Sequence, residues 1–180
     1  MKYMFASDVH GSAYYCQKML ESFGQEGAER LVLLGDLLYH GPRNDLPRDY
    51  APKQVIDMLN AHKHEIISVR GNCDAEVDQM VLEFPIMADY GVLIVEGRTF
   101  YLSHGHIHQE GNLPPLQKGD VFVYGHTHVL RAENKDGQVY LNPGSVSIPK
   151  EGNIPSYGIL ENGKFTIKGF DGTIIKELEI

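Results

Sequence analysis

Only two cysteines, Cys16 and Cys73, occur in the 180 residues. That is too few for a disulfide framework, and such sparse use fits a reducing compartment. Basic residues are scarce as well: 16 lysines and arginines face 24 aspartates and glutamates, a net charge of −8 with histidine neutral. An extended nucleic-acid groove needs a basic stripe to displace counterions, so that class is excluded, whereas a small phosphate ester can still bind at a local positive site. No apolar run approaches the length of a membrane span. The N-terminal apolar segment turns polar at Ser7 and Asp8, too early for the core of a signal peptide. A cytoplasmic protein with no membrane partner is the expectation.

What is present is an ordinary core-forming composition, 42% hydrophobic. A chain of this length buries about 70% of the surface it exposes when unfolded, and it is expected to form one domain over residues 1–180. The excess lies in histidine: there are nine, five of them between His104 and His128.

Met1–Ser7 reads as a buried strand. Ser12 then caps a helix whose apolar positions Cys16, Met19, Leu20 and Phe23 repeat at helical spacing, with Gly24 and Gly27 to end it. Arg30–Leu34 and Glu65–Val69 read as two further strands, with a helix around Val55, Ile56 and Leu59 between them. Residues 38–52 hold three prolines and a glycine, a loop long enough to suspect of function. This β-α-β-α-β rhythm argues for parallel strands covered by helices. The second half is poor in helix signals. Glu96-Gly97, Asp136-Gly137, Asn162-Gly163 and Asp171-Gly172 mark turns between short strands, which suggests a second sheet packed on the first. The fold class is an α/β sandwich of two sheets.

Polar residues gather where apolar strands end. Asp8 and His10 follow the first strand, Asp36 the second and Asn72 the third. His104 follows Thr99–Ser103, and His126 and His128 follow Val121–Tyr124. Ligands and catalytic groups collect at strand ends in open α/β sheets. Two carboxylates, an amide oxygen and four imidazoles suit a pair of divalent transition metals. Singly these residues are unremarkable: Asp8 and His10 read as helix caps, Asp36 and Asn72 as turn residues. An Asp-x-His triplet is expected about 0.5 times by chance in this composition, but Gly-His-x-His only about 0.05 times, and it occurs at 105–108 and again at 125–128.

The ordered series Asp8-x-His10, Gly35-Asp36, Gly71-Asn72, His104 and Gly125-His126-x-His128 resembles the signature of calcineurin-like metallophosphoesterases. Asn142-Pro143-Gly144-Ser145 resembles a further element of that family. Within it, the chain resembles the small bacterial and archaeal phosphodiesterases of the YfcE type. The resemblance implies the two-sheet α/β sandwich of metallo-dependent phosphatases and two divalent ions per chain. It puts Asp8, His10, Asp36 and His128 on one ion and Asp36, Asn72, His104 and His126 on the other, with Asp36 bridging. Manganese is the expected metal, with zinc, iron or nickel as alternatives. The implied reaction is hydrolysis of a small phosphodiester by metal-bound hydroxide.

The chain departs from the fuller signature at Cys73, where many members carry a histidine able to protonate the leaving oxygen. A neutral thiol is a weak donor, which favours diesters with acidic leaving groups over monoesters. Asp36, Asn72, Cys73, Asp74 and His106 are the candidates for catalytic roles. His40 and Arg43 are candidate substrate contacts, Arg43 through its guanidinium fork. His106 and His108 compete with the later pair as ligands, and His106 is also a candidate for supporting the ligands. His62 and His64 read as surface residues and Cys16 as core. Two other readings are a phosphomonoesterase and a non-catalytic scaffold like the retromer subunit of similar fold, whose metal site is eroded. Here all seven ligand positions are filled. The segments 37–52 and 106–118 carry no readable base- or sugar-binding code, and a homo-oligomer is left open.

Overall fold

A computed structural model describes residues 1–180. Strands β1 (Tyr3–Ala6), β2 (Arg30–Leu33) and β3 (Ile66–Ser68) run parallel, and they are linked by helices α1 (Ala13–Glu26) and α2 (Pro52–Ala61). Each of these strands is too short to alternate faces more than once or twice, yet β1 is buried throughout. Tyr3 and Phe5 point one way, into the space between the sheets. Met4 and Ala6 point the other way, against Cys16, Met19 and Phe23 of α1 and Val55 and Leu59 of α2. A strand covered on both faces reads as a continuous apolar run.

The expectation that the hairpin-rich second half forms the second sheet holds only in part. Strands β4 (Tyr90–Val95), β5 (Arg98–Ser103), β6 (Val121–Val123), β7 (Arg131–Lys135) and β8 (Gln138–Asn142) form it, in the order β4-β5-β6-β8-β7. The last three strands, β9 (Ser156–Glu161), β10 (Lys164–Gly169) and β11 (Ile174–Glu179), instead return to the first sheet. There β9 pairs antiparallel with β1, so the sheet is mixed, in the order β11-β10-β9-β1-β2-β3. The turn signals at 96–97, 136–137, 162–163 and 171–172 each sit between antiparallel partners. A four-residue helix, α3 (Glu76–Gln79), follows β3.

Phe5, Val32 and Leu34 of one sheet meet Leu102, Val123 and Leu141 of the other to form the inter-sheet core. Each sheet thereby presents three parallel strands: β1, β2 and β3 in one, and β5, β6 and β8 in the other. The loops beyond their C-terminal ends meet across the top of the sandwich. Val146 N–H donates to the Ser7 carbonyl at 2.9 Å, and Ser145 and Ser147 hydroxyls both donate to the Asp8 carbonyl at 3.0 and 3.1 Å. No helix is long and apolar enough to cross a membrane.

Candidate metal centre

Five of the seven predicted donors hold backbone conformations that non-glycine residues rarely adopt. Asp8, His10, Asp36, His126 and His128 have φ of +59°, +48°, +57°, +63° and +60°. A left-handed residue costs roughly 1–2 kcal/mol, and such strain persists where the surroundings over-determine it, often at functional sites. Aspartate and histidine tolerate this region better than most side chains. The strain turns each strand end sharply enough to aim its side chain at a shared centre.

Glycines let these turns close. A Cβ on Gly71 would stand 2.1 Å from Asp36 Oδ1, and one on Gly125 1.9 Å from Ser7 Oγ and 2.9 Å from Asp8 Oδ2. The Gly-Asn and Gly-His pairs therefore record backbone contacts with the two carboxylates. Neither contact leaves room for a side chain.

Each buried imidazole is oriented from behind by a main-chain carbonyl. Nδ1–H donates to Tyr39 O from His10 (2.7 Å), to Leu34 O from His104 (2.6 Å) and to Ile148 O from His128 (2.7 Å). Carbonyls only accept, so the hydrogen sits on Nδ1 and the Nε2 lone pair faces inward. Those lone pairs face other acceptors. His10 Nε2 and His128 Nε2 stand 3.3 Å apart; His104 Nε2 lies 3.1 Å from Asn72 Oδ1 and 3.3 Å from Asp36 Oδ2. Asp8 Oδ1, fully buried, receives no hydrogen bond, although His128 Nε2 is 3.2 Å away. His126 presents Nδ1 to the same centre, 3.3 Å from His104 Nε2. Lone pairs packed in this way repel unless a cation or a shared proton stands among them, and this mix of oxygen and nitrogen donors fits divalent metal.

The remaining carboxylate lone pairs are assigned elsewhere. Asp8 Oδ2 accepts from the His126 N–H at 3.1 Å, and Asp36 Oδ1 from the Cys73 N–H at 2.7 Å. Burial disfavours the charged form of both acids, but the histidines around them outweigh it, and both remain ionised with lowered pKa values. Without a cation a proton takes its place: burial opposes protonation of His104, but the hydrogen bond and charge of Asp36 with the charge of Asp8 raise it to about 9. His126 and His106 go the other way, lowered by burial and by the neighbouring His104.

The structure gathers Asp8, His10, Asp36, Asn72, His104, His126 and His128 at one point; His10, Asp36, Asn72, His126 and His128 line a cavity of about 550 Å³, while Asp8 and His104 are fully buried. Arg43 and Cys73 line that cavity. His40 does not: its ring packs edge-on against Tyr39 and Tyr50, with centroids 4.8 and 5.3 Å away. Asp74 is also turned from the cavity. Its buried carboxylate accepts from the N–H groups of Asp36 (2.9 Å), Leu37 (2.9 Å) and Gly71 (2.7 Å), so it positions the Asp36 turn. His106 stacks edge-on behind His104 at 5.4 Å, and His108 packs on Tyr101, outside the cluster. Sequence reasoning passed over Lys150, Gln109, Asn44 and Thr127, which also line the cavity. Lys150, Gln109 and Asn44 come from loops without a motif, and Thr127 is the unspecified position of Gly125-His126-x-His128. Asn142 carries a role that was legible only as a motif: its amide donates to Gly125 O at 2.9 Å and Thr127 Oγ1 at 3.1 Å, bracing the His126–His128 turn.

A sandwich with acids and imidazoles at the strand ends of both sheets defines a metallohydrolase class of site. Comparison with known families matches residues 1–164 to the calcineurin-like phosphoesterase superfamily domain, and the chain belongs to that superfamily. It is 51% identical to the phosphodiesterase YfcE of Escherichia coli K12, over all of this chain and 98% of that protein. A phosphodiesterase of Methanocaldococcus jannaschii is 30% identical over 91% of this chain and 95% of its own. The solved structure of the Escherichia coli phosphoesterase YfcE superposes with a TM-score of 0.98, at 51% identity and covering the whole of both chains. Vps29 of Cryptosporidium parvum shares the fold alone, with a TM-score of 0.67 at 19% identity over 99% of this chain and 98% of that one.

Proposed function

We propose that the protein is a metal-dependent phosphodiesterase acting on small phosphodiesters, with residues 1–180 as one catalytic domain. Asp8, His10, Asp36 and His128 would hold one divalent ion and Asp36, Asn72, His104 and His126 a second; manganese is the metal we favour, ahead of zinc, iron or nickel. When bound, such a pair supplies a water acidic enough to ionise near neutral pH and neutralises charge on the phosphoryl oxygens. The observation that most strongly supports the reading is the convergence of imidazole nitrogens and carboxylate oxygens from both sheets on one point.

The protein's own groups do the rest. Arg43 and Lys150 on the cavity wall offer cationic partners to a phosphate anion, Arg43 in a form suited to two oxygens at once. The carbonyls of Tyr39, Leu34 and Ile148 fix the imidazoles before substrate arrives, which removes a reorientation cost from the reaction. Asn142, Ser145 and Ser147 lock the two loops that carry Asp8 and His126. The Cys73 thiol is pushed up to about 12 by burial and by the Asp36 charge. It is neither a thiolate nucleophile nor an efficient proton donor to a departing alkoxide. Diesters with acidic leaving groups are therefore the better substrates.

A panel of mono- and diesters, offered to metal-stripped protein reloaded with single cations, tests this. Activated diesters should be turned over with a higher kcat/KM than alkyl monoesters. The reverse order would assign a phosphomonoesterase, and no turnover with any cation would assign a scaffold.

A further inference from the structure

Beside the polar cavity lies an apolar one of about 390 Å³, within the range of small-molecule sites. Tyr39 and Tyr50 of the long loop, Ile56 of α2, and Val77 and Val81 around α3 form its walls. Tyr39, Val77 and Val81 remain 42%, 67% and 43% exposed, an apolar concentration that marks a binding surface more often than chance. Its one carboxylate, Asp78, is engaged by the Ala75 N–H at 2.9 Å.

Two residues join this groove to the donor cluster. Cys73 lines both cavities, and its sulfur lies within 4.8 Å of a carboxylate oxygen of Asp36 and a ring nitrogen of His10. Tyr39 walls the groove with its ring while its carbonyl orients His10. An ester whose phosphorus sits over the cluster shares its cavity with Arg43 and Lys150, and the groove adjoins that cavity at Cys73.

We propose that the groove binds one ester arm of the substrate, and that this arm is apolar, of aromatic-ring size. The substrate class is then a phosphodiester with at least one aryl or comparable apolar arm, rather than one with two polar arms. This rests on the phosphodiesterase reading and narrows it. Cys73 is the small residue shared by the two cavity walls, a role beyond its weakness as an acid.

The test is calorimetric binding of diphenyl phosphate and of dimethyl phosphate to the metal-loaded protein. Burying a ring in the groove should make the diphenyl ester at least about tenfold tighter. The double variant Val77→Ser, Val81→Ser alters exposed groove walls outside the donor cluster; it should cut that ratio by about threefold or more while leaving the dimethyl ester's affinity unchanged. Equal affinities in the unaltered protein, or a ratio that survives both substitutions, would overturn the proposal. Turnover of bis(4-nitrophenyl) phosphate, followed in parallel, tests the underlying reading separately. Groove-dependent binding of the diphenyl ester without turnover of any diester would uphold the groove and contradict the diesterase.

Discussion

Asp36 is engaged from every side: its N–H donates to Asp74, its Oδ1 accepts from Cys73, and its Oδ2 faces His104 and His10. In the proposed site Asp36 would be shared by two ions, and an amide in its place would weaken both. Asp36→Asn should therefore lower metal content at both positions and reduce turnover roughly 10²-fold or more, read by elemental analysis beside kinetics; full occupancy with undiminished turnover would contradict the assignment. The two Gly-His-x-His segments separate cleanly at this scale. His126→Ala and His128→Ala should each lose metal, whereas His108→Ala, which removes a ring packed on Tyr101, should leave metal content near normal. Cys73→His should raise monoesterase activity only modestly. A positioned general acid contributes about 10²–10⁴-fold, but Asp74, the nearest carboxylate in sequence, is buried and turned onto three backbone N–H groups, away from the cavity where the new imidazole would stand. A gain within that full range, measured on alkyl monoesters, would show that another group does so.

Helix α1 ends on an acid, Glu26, where the helix dipole disfavours negative charge. The neighbouring sheet offsets this: Lys168 of β10 reaches both Glu26 oxygens at 2.8 and 3.1 Å, and the Tyr157 hydroxyl of β9 donates at 3.0 Å. Burial raises the Glu26 pKa, but these partners outweigh it and hold it below its ordinary 4.5. A carboxylate depressed in the folded state contributes stability above its unfolded pKa and loses it as pH falls through the folded value. Glu26→Gln should thus cost about 1 kcal/mol near neutral pH, and the gap to the unaltered protein should close as unfolding is measured at pH values below 4.5. A gap that persists in acid would mean the pair contributes through packing and not through charge. Asp74 is the counterpart in the turn after β3. Asp74→Ala strips three buried N–H groups of their acceptor and should destabilise by about 3 kcal/mol or more in denaturant unfolding.

Across the whole molecule, the local elements were legible because each carried its own signal. The Ser12 cap, the helical spacing of Cys16, Met19 and Phe23, and the glycine turns all acted within a few residues. That the candidate donors lie together was legible because they sit next to strand ends that the apolar pattern reveals. What escaped was long-range: nothing within β9, β10 or β11 says that they pair with β1 rather than with the second sheet. Lys150 and Gln109 were missed for the same reason, since only the meeting of the two sheets brings their loops over Asp36. Asp74 read as a catalytic candidate from its place beside Cys73, and only the folded turn directs its oxygens to backbone. The same convergence of distant strand ends is what makes the site a metal site, so metal dependence is the property on which the account stands. The measurement is turnover of bis(4-nitrophenyl) phosphate by metal-stripped protein titrated with manganese. Turnover should be absent at the start, rise with added ion and level off near two ions per chain. Undiminished turnover in the stripped protein, or saturation with manganese without turnover, would contradict it.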